Sequence, residues 1–255
     1  NIGMGIHSMR GVRPIDIVEI AKSGPQDIPF HIHIAEQLKE IDDSLTYLGK
    51  RPVEWLLDNV SLNNRYHLVH ATHLTKSETN RIAKSQANVV LCPTTEGNLG
   101  DGLFPLIDFQ KAGGNWSIGT DSHIGINPLE EIRLLDYGQR LITHNRDTFA
   151  ITNGDSGRFV IDMITKTGRK AMNNLSMDYF KIGDPFNASI IDANSPLIGI
   201  TSDKNKASSI IYTSDSSHHI GTIVNGELVA FKGRHVKEEK IKSKFLQTLR
   251  ELNNR

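Results

Sequence analysis

Three short apolar runs each end on a residue that can bind a metal or move a proton: Phe30–Gln37 (FHIHIAEQ), Tyr66–His73 (YHLVHATH) and Trp116–His123 (WSIGTDSH). On a strand, His31 and His33 point to one side while Ile32 and Ile34 point to the other. A His-x-His pair so placed can offer two imidazoles to one metal; the competing reading is that one of them is a buried, hydrogen-bonded histidine. Glu36 falls just past the strand end, where a carboxylate could reach a water or a leaving group. His70 closes its own apolar run, whereas His67 and His73 flank it and read as strand-edge or loop residues. Asp121 could cap a helix, but the next helix start is Asn127-Pro128, too far along the chain. A metal-bridging or general-base carboxylate is the better account. Titratable groups at strand C-termini of a strand–helix repeat are where an α/β barrel keeps its chemistry, so metal-assisted hydrolysis is the first hypothesis.

The elements that must position these groups alternate. A strand ends near His7, and Pro14 opens a helix closed by Gly24. The strand Pro29–Ala35 is followed by a helix opened by Pro52, over Val53–Asn59. The strand Tyr66–Ala71 leads into a helix with a capping box, Thr75 and Glu78. Asn88–Cys92 is a fourth strand, followed by a long loop, 93–102, and a helix near Leu106–Ala112. Asn115–Thr120 is the fifth, and its helix starts at Asn127-Pro128 with Glu130 and Glu131 in the first turn. Strands alternating with helices imply a parallel sheet. Phe159, Val160, Met163, Ile164 and Thr167 form one face of a further helix. Beyond Ile182 the pattern turns to short β segments, at Ala188–Asp192, Ser208–Thr213, Ile220–Val224 and Leu228–Phe231, with a hairpin signal at Asn225-Gly226. Ile241, Phe245, Leu249 and Leu252 mark a C-terminal helix. A small antiparallel β domain therefore follows the α/β part.

Two further groups bear on substrate. His7 and Arg10 follow the first strand, either as part of a solvated turn or as a cationic pair facing an anion, for which the planar guanidinium fork is suited. The segment 93–102 (PTTEGNLGDG) places Glu96 and Asp101 among turn-forming residues, either as a plain connection or as a substrate loop at a barrel mouth.

Bulk properties narrow the class. The chain has 255 residues, with Lys plus Arg and Asp plus Glu balanced at 29 each. Nothing in that balance draws it to nucleic acid or to a membrane surface. No apolar run approaches the roughly 20 residues of a membrane helix. Cys92 is the single cysteine, which suits a reducing cytoplasm. The opening NIGMGIH runs directly into an apolar strand and reads as a start within a larger protein.

At these residues the sequence resembles the amidohydrolase superfamily of metal-dependent barrels, in its aminohydrolase branch. In that branch a histidine on the fifth barrel strand binds metal and a glutamate three residues on shuttles protons. A sixth-strand histidine assists at the reacting centre, and an eighth-strand aspartate binds metal and activates water. His33, Glu36, His70 and Asp121 match these positions in order. HIHIAEQ, RPVEWLLD, LVHATHL, CPTTEGNLGDGLFPL, IGTDSH and LDYGQRL together resemble the formiminoglutamate deiminases of histidine degradation, and TTEGNLGDG is the most specific of them. In those enzymes a fourth-strand His and Arg bind substrate, at the place of His7 and Arg10. The resemblance covers nearly all of residues 1–235.

It implies strands four to eight of a metal-dependent (β/α)8 TIM-type barrel over 1–176. A small β-sandwich domain with a C-terminal helix follows over 177–255. It also implies one divalent metal ion, Zn2+ first, held by His33 and Asp121. The resemblance further implies a small-molecule substrate carrying carboxylates and a cytoplasmic homodimer. The expected reaction is hydrolysis of N-formimino-L-glutamate to N-formyl-L-glutamate and ammonia, with Glu36, His70 and Asp121 as catalytic groups. The first-strand His-x-His pair of the family would lie before residue 1, so His31 is a supporting residue rather than a ligand. Two alternatives stand beside this reading: a deaminase of a cyclic amidine such as guanine or a pterin, and an inactive fragment or scaffold lacking the first-strand ligands.

Overall fold

The computed structural model describes residues 1–149, 155–176 and 180–254. The chain divides into two compact units, Asn1–Met177 and Asp178–Arg255. The domain boundary expected at 176/177 abuts residues 177–179, which lie outside the described residues.

The first unit is built on five strands: β1 (Met4–Ser8), β2 (Phe30–Ile34), β3 (Tyr66–His70), β4 (Asn88–Leu91) and β5 (Asn115–Ile118). They form one sheet in sequence order, and every neighbouring pair is parallel. Between them run α1 (Pro14–Ser23), α2 (Leu38–Leu48), α3 (Pro52–Asn59), α4 (Lys76–Ser85), α5 (Pro93–Leu99) and α6 (Leu106–Lys111). After β5 come α7 (Pro128–Thr143) and α8 (Ser156–Ala171). This is the α/β arrangement the alternation predicts. Phe30, Ile32 and Ile34 are buried on one side of β2, while His31 and His33 are half-buried on the other. Leu68, Val89, Leu91 and Trp116 complete the buried apolar layer of the sheet. Truncating one of these side chains to Ala costs about 2–5 kcal/mol, so the layer fixes the strand ends firmly.

Local sequence explains the helix boundaries. Thr75 and Glu78 form the expected capping box at α4, with Oγ1 and carboxylate each bonded to the other's backbone N–H. Asn127 caps α7 by accepting from Leu129 N and Glu130 N, and Pro128 occupies the first helical position.

Three expectations are corrected. The segment after β2 holds an additional helix, α2, whose Leu38, Ile41, Leu45 and Leu48 follow the helical period. The expected loop at 93–102 is helical over Pro93–Leu99. Pro93 starts it, and Gly100, at φ 72°, ends it in the left-handed region that suits glycine. In the second unit Ser208–Thr213 belongs to a helix, Lys206–Thr213, rather than a strand.

The second unit contains β6 (Ala188–Ile191), a short α9 (Pro196–Gly199), α10 (Lys206–Thr213), β7 (His219–Val224), β8 (Glu227–Phe231), β9 (Arg234–His235) and α11 (Glu238–Asn253). Helix α10 is preceded by a 3-10 turn at Asp203–Asn205. The Thr213 and Ser214 hydroxyls bond carbonyls four residues back, at Ser209 and Ile210, and so satisfy the backbone locally where a strand would need a neighbour. The four strands form one antiparallel sheet in the order β6-β7-β8-β9. Asn225 and Gly226 both have positive φ, as the hairpin signal predicts. A sandwich needs two sheets, and the described residues of this unit form a single sheet. No helix among the described residues is long and apolar enough to cross a membrane.

Candidate active site

The C-terminal ends of β2, β3 and β5 bring His33, His70 and Asp121 together. Each offers one ligand atom, and these atoms lie within 4.8 Å of one another. Asp121 bridges the two histidines: Oδ1 is 3.7 Å from His33 Nε2 and Oδ2 is 3.7 Å from His70 Nε2. Glu36 Oε1 lies 3.7 Å from the same His70 Nε2. The backbone is forced at each strand end. Ala35, His70, Ala71 and Asp121 have φ of 52°, 68°, 50° and 51°. A residue with a Cβ held there costs of order 1–3 kcal/mol, and such residues cluster where a site over-determines its geometry.

The histidine tautomers follow from their partners. His33 Nδ1 is 2.8 Å from the His7 carbonyl oxygen, so it carries the proton and donates it. Its Nε2 is thereby the ring nitrogen left facing Asp121. His70 Nδ1 is 3.2 Å from Glu96 Oε1, while its Nε2 is buried with no hydrogen-bond partner. Burial opposes protonation of His70, but the bond to Glu96 and the charges of Glu96, Glu36 and Asp121 outweigh it and raise its pKa.

These observations meet the requirements of a divalent metal. Two ligands about 2.0–2.2 Å from one tetrahedral ion lie roughly 3.4 Å apart, close to the spacings seen here. Imidazole nitrogens whose far N–H is held by a carbonyl or carboxylate are the usual form of metal-binding histidine. The orphaned, buried His70 Nε2 also demands a partner. Two imidazoles and a carboxylate suit a first-row divalent ion.

Around the cluster, the loop after β1 supplies His7 and Arg10. The His7 ring stacks on His33 at 5.3 Å between centroids, and its Nδ1 is 2.7 Å from Ser8 Oγ. Arg10 donates from Nη2 to Glu36 Oε2, and its Nε is 3.7 Å from Glu40 Oε2. The guanidinium therefore already faces two carboxylates. Thr95 donates to the Thr120 carbonyl at 2.6 Å and accepts from His123 N at 3.1 Å, which ties α5 to the turn carrying Asp121. Asp101 is buried beside Glu36; burial raises its pKa, and a Gln37 hydrogen bond opposes that shift.

His31, His67 and His73 are not part of this three-residue cluster. His31 Nε2 is 3.0 Å from the Ala171 carbonyl, and its ring stacks on His67 at 4.9 Å. Burial lowers the His31 pKa. His67 is wholly buried, and burial pushes its pKa down to about 3, with His31 and Lys170 adding to the shift. His73 lies in the loop after β3, against Gly102. Glu40 escaped the sequence reading. Its only signal there is its place four residues after Glu36, in the first turn of a helix that was itself not foreseen.

The sequence model of the amidohydrolase family matches residues 1–229. Formimidoylglutamate deiminase of Pseudomonas aeruginosa is 36% identical over 253 residues, which is 99% of this chain and 56% of that protein. 5-Methylthioadenosine/S-adenosylhomocysteine deaminase of Pyrococcus furiosus is 30% identical over 235 residues, 89% of this chain and 54% of that one. A crystal structure of an amidohydrolase from Brucella melitensis superposes with a TM-score of 0.85 at 34% identity, covering 98% of this chain and 55% of that chain. A zinc-bound adenosine deaminase from Xanthomonas campestris shares the fold at a TM-score of 0.82 and 21% identity, covering 99% of this chain and 56% of that chain. The chain thus spans about half the length of the curated relatives it matches.

Proposed function

The chain belongs to the amidohydrolase family, and from that membership we propose that it carries the fifth- to eighth-strand half of a metal-dependent site for the deimination of N-formimino-L-glutamate. The observation that carries the reading is the joint placement of His33, His70, Asp121, Glu36 and Arg10 at adjoining strand ends. The 36% identity to a formimidoylglutamate deiminase supports the substrate. In this reading residues 1–176 are strands four to eight of the barrel, and 177–255 form a composite sandwich domain whose other sheet lies outside these residues. The first-strand His-x-His pair would likewise lie outside them. A homodimer and a cytoplasmic setting belong to the same proposal.

His33 and Asp121 would hold the metal, proposed as Zn2+, with His70 Nε2 beside them. Bound there, the ion supplies Lewis acidity and lowers the pKa of a water from 15.7 toward about 7. Asp121 accepts the proton of the attacking water and holds it next to His70. A C–O bond forms at the formimino carbon, and His70 Nε2 faces the charge that develops there. The C=N π bond opens as the C–O bond forms; Glu36 relays both protons of the water, the one taken up by Asp121 and the one left on the new C–OH, to that nitrogen, the C–N bond breaks, and ammonia leaves with the formyl product behind. Arg10 and His7 receive a substrate carboxylate, so that binding energy becomes orientation. A carboxylate arriving at Arg10 takes the place of Glu36 on the guanidinium, which frees Glu36 for proton transfer.

The test is ammonia release by the full-length protein, with N-formimino-L-glutamate compared against guanine and S-adenosylhomocysteine. The proposal expects turnover of the first. Turnover of a purine substrate alone would favour the cyclic-amidine reading, which the 30% identity to an S-adenosylhomocysteine deaminase keeps in view.

A further inference from the structure

Glu40 is not one of the residues assigned to substrate, metal or proton transfer, yet its side chain reaches Ala35 N, Glu36 N and Arg10. It is the third residue of α2, whose N-cap, Gln37, makes no side-chain cap bond. The Glu40 side chain is almost wholly buried and turns back toward the end of β2. There Oε1 accepts from Ala35 N at 2.9 Å and Oε2 accepts from Glu36 N at 3.0 Å. Ala35 sits at φ 52°, a conformation that must be held from outside the residue. A two-oxygen acceptor at a helix N-terminus supplies that hold; burial raises the Glu40 pKa, and the two amides and Arg10 oppose that shift.

The same Oε2 lies 3.7 Å from Arg10 Nε, while Arg10 Nη2 donates to Glu36. Arg10 is thus gripped on two edges, by Glu40 at Nε and by Glu36 at Nη2. The two grips differ in kind. Glu40 is anchored by two backbone amides and cannot swing away, whereas Glu36 is held at its outer oxygen by Arg10 alone. An incoming carboxylate competes for the Nη edge and leaves the Nε edge in place.

We propose that Glu40 is a positioning residue that sets the Arg10 guanidinium and the Glu36 carboxylate as one unit, so that capture of a substrate carboxylate by Arg10 releases Glu36 for proton transfer. This rests on the deiminase reading above. It makes a carboxylate on the substrate a trigger of catalysis as well as a handle for binding.

The experiment is Glu40→Gln in the full-length enzyme, with wild type in parallel. Gln keeps the volume but offers one acceptor and opposes a donor to the second amide. The expected result is a kcat about 10- to 100-fold lower and a KM for N-formimino-L-glutamate about tenfold higher, in protein that is folded and keeps its bound metal. A defect of folding alone would lower the active fraction and leave KM where it was; that outcome, or kinetics within about twofold of wild type, overturns the role of Glu40. Should Glu40→Gln fail to fold, Glu40→Asp carries the test. It keeps charge and both acceptors one methylene short of the amides, and wild-type kinetics would again overturn the role. Wild-type protein that releases no ammonia from N-formimino-L-glutamate overturns the deiminase reading itself, and the coupling with it.

Discussion

His70 Nδ1 faces Glu96 Oε1 at 3.2 Å, and the same oxygen accepts the Cys92 backbone N–H at 2.9 Å. Glu96 therefore locks the start of α5 and the ring orientation of His70 with one atom. The far nitrogen of His70 is left for the space between Glu36 and Asp121, each 3.7 Å away. Glu96→Gln keeps the shape and one acceptor oxygen but removes the charge that faces the His70 ring. In the full-length enzyme, ammonia release should fall about 10- to 100-fold while the protein stays folded and keeps its metal. Unchanged turnover would show that the orientation of His70 does not depend on Glu96.

Glu36 stands between Arg10 and His70, and in the proposed reaction it is the group that moves a proton to the leaving nitrogen. In that proposal it does not hold the ion. Glu36→Gln in the full-length enzyme should lower kcat by at least about 10²-fold with bound metal unchanged. Retained activity removes Glu36 from the role.

Asp121 reaches both histidines, one with each oxygen. Its loss should weaken the metal site rather than the fold, because its backbone turn is held separately by Thr95. Asp121→Ala in the full-length protein, dialysed against a mild chelator, should retain clearly less zinc than wild type by elemental analysis. Equal zinc in both would exclude Asp121 as a ligand.

The strand ends were legible in the sequence because a period of two and an abrupt polar stop are both local signals. His33, His70 and Asp121 stand where those runs predict, and the Thr75–Glu78 box and the Asn225-Gly226 turn are local in the same way. Helix α5 was not legible. Its Gly97-Asn98 reads as a turn, and what holds it lies elsewhere: Glu131 accepts from Thr94 N at 2.9 Å from 37 residues away. Glu40 was hidden for a related reason. A carboxylate in the first turn of a helix usually means a solvated cap, and nothing local says that this one folds back under Arg10.

The pair His31–His67 gives a prediction about stability. The rings stack at 4.9 Å, and both nitrogens of His67 are buried without a hydrogen-bond partner. With its folded pKa at about 3, His67 is neutral in the native protein throughout the ordinary range. In the unfolded chain it binds a proton below about pH 6.5. Between these two values the unfolded state holds more protons, so stability rises with pH. The contribution is fully present above pH 6.5 and is lost as pH falls toward 3, by about 1.4 kcal/mol per pH unit. Urea unfolding of the full-length protein at pH 7.5 and pH 5.0 should therefore differ by about 2 kcal/mol from this residue, since 1.5 pH units fall inside the window. His67→Leu removes the titrating group together with two unsatisfied nitrogens, and it should cost little at pH 7.5. In that variant the difference between the two pH values should shrink by the same amount. An equally acid-sensitive His67→Leu would place the sensitivity elsewhere in the protein.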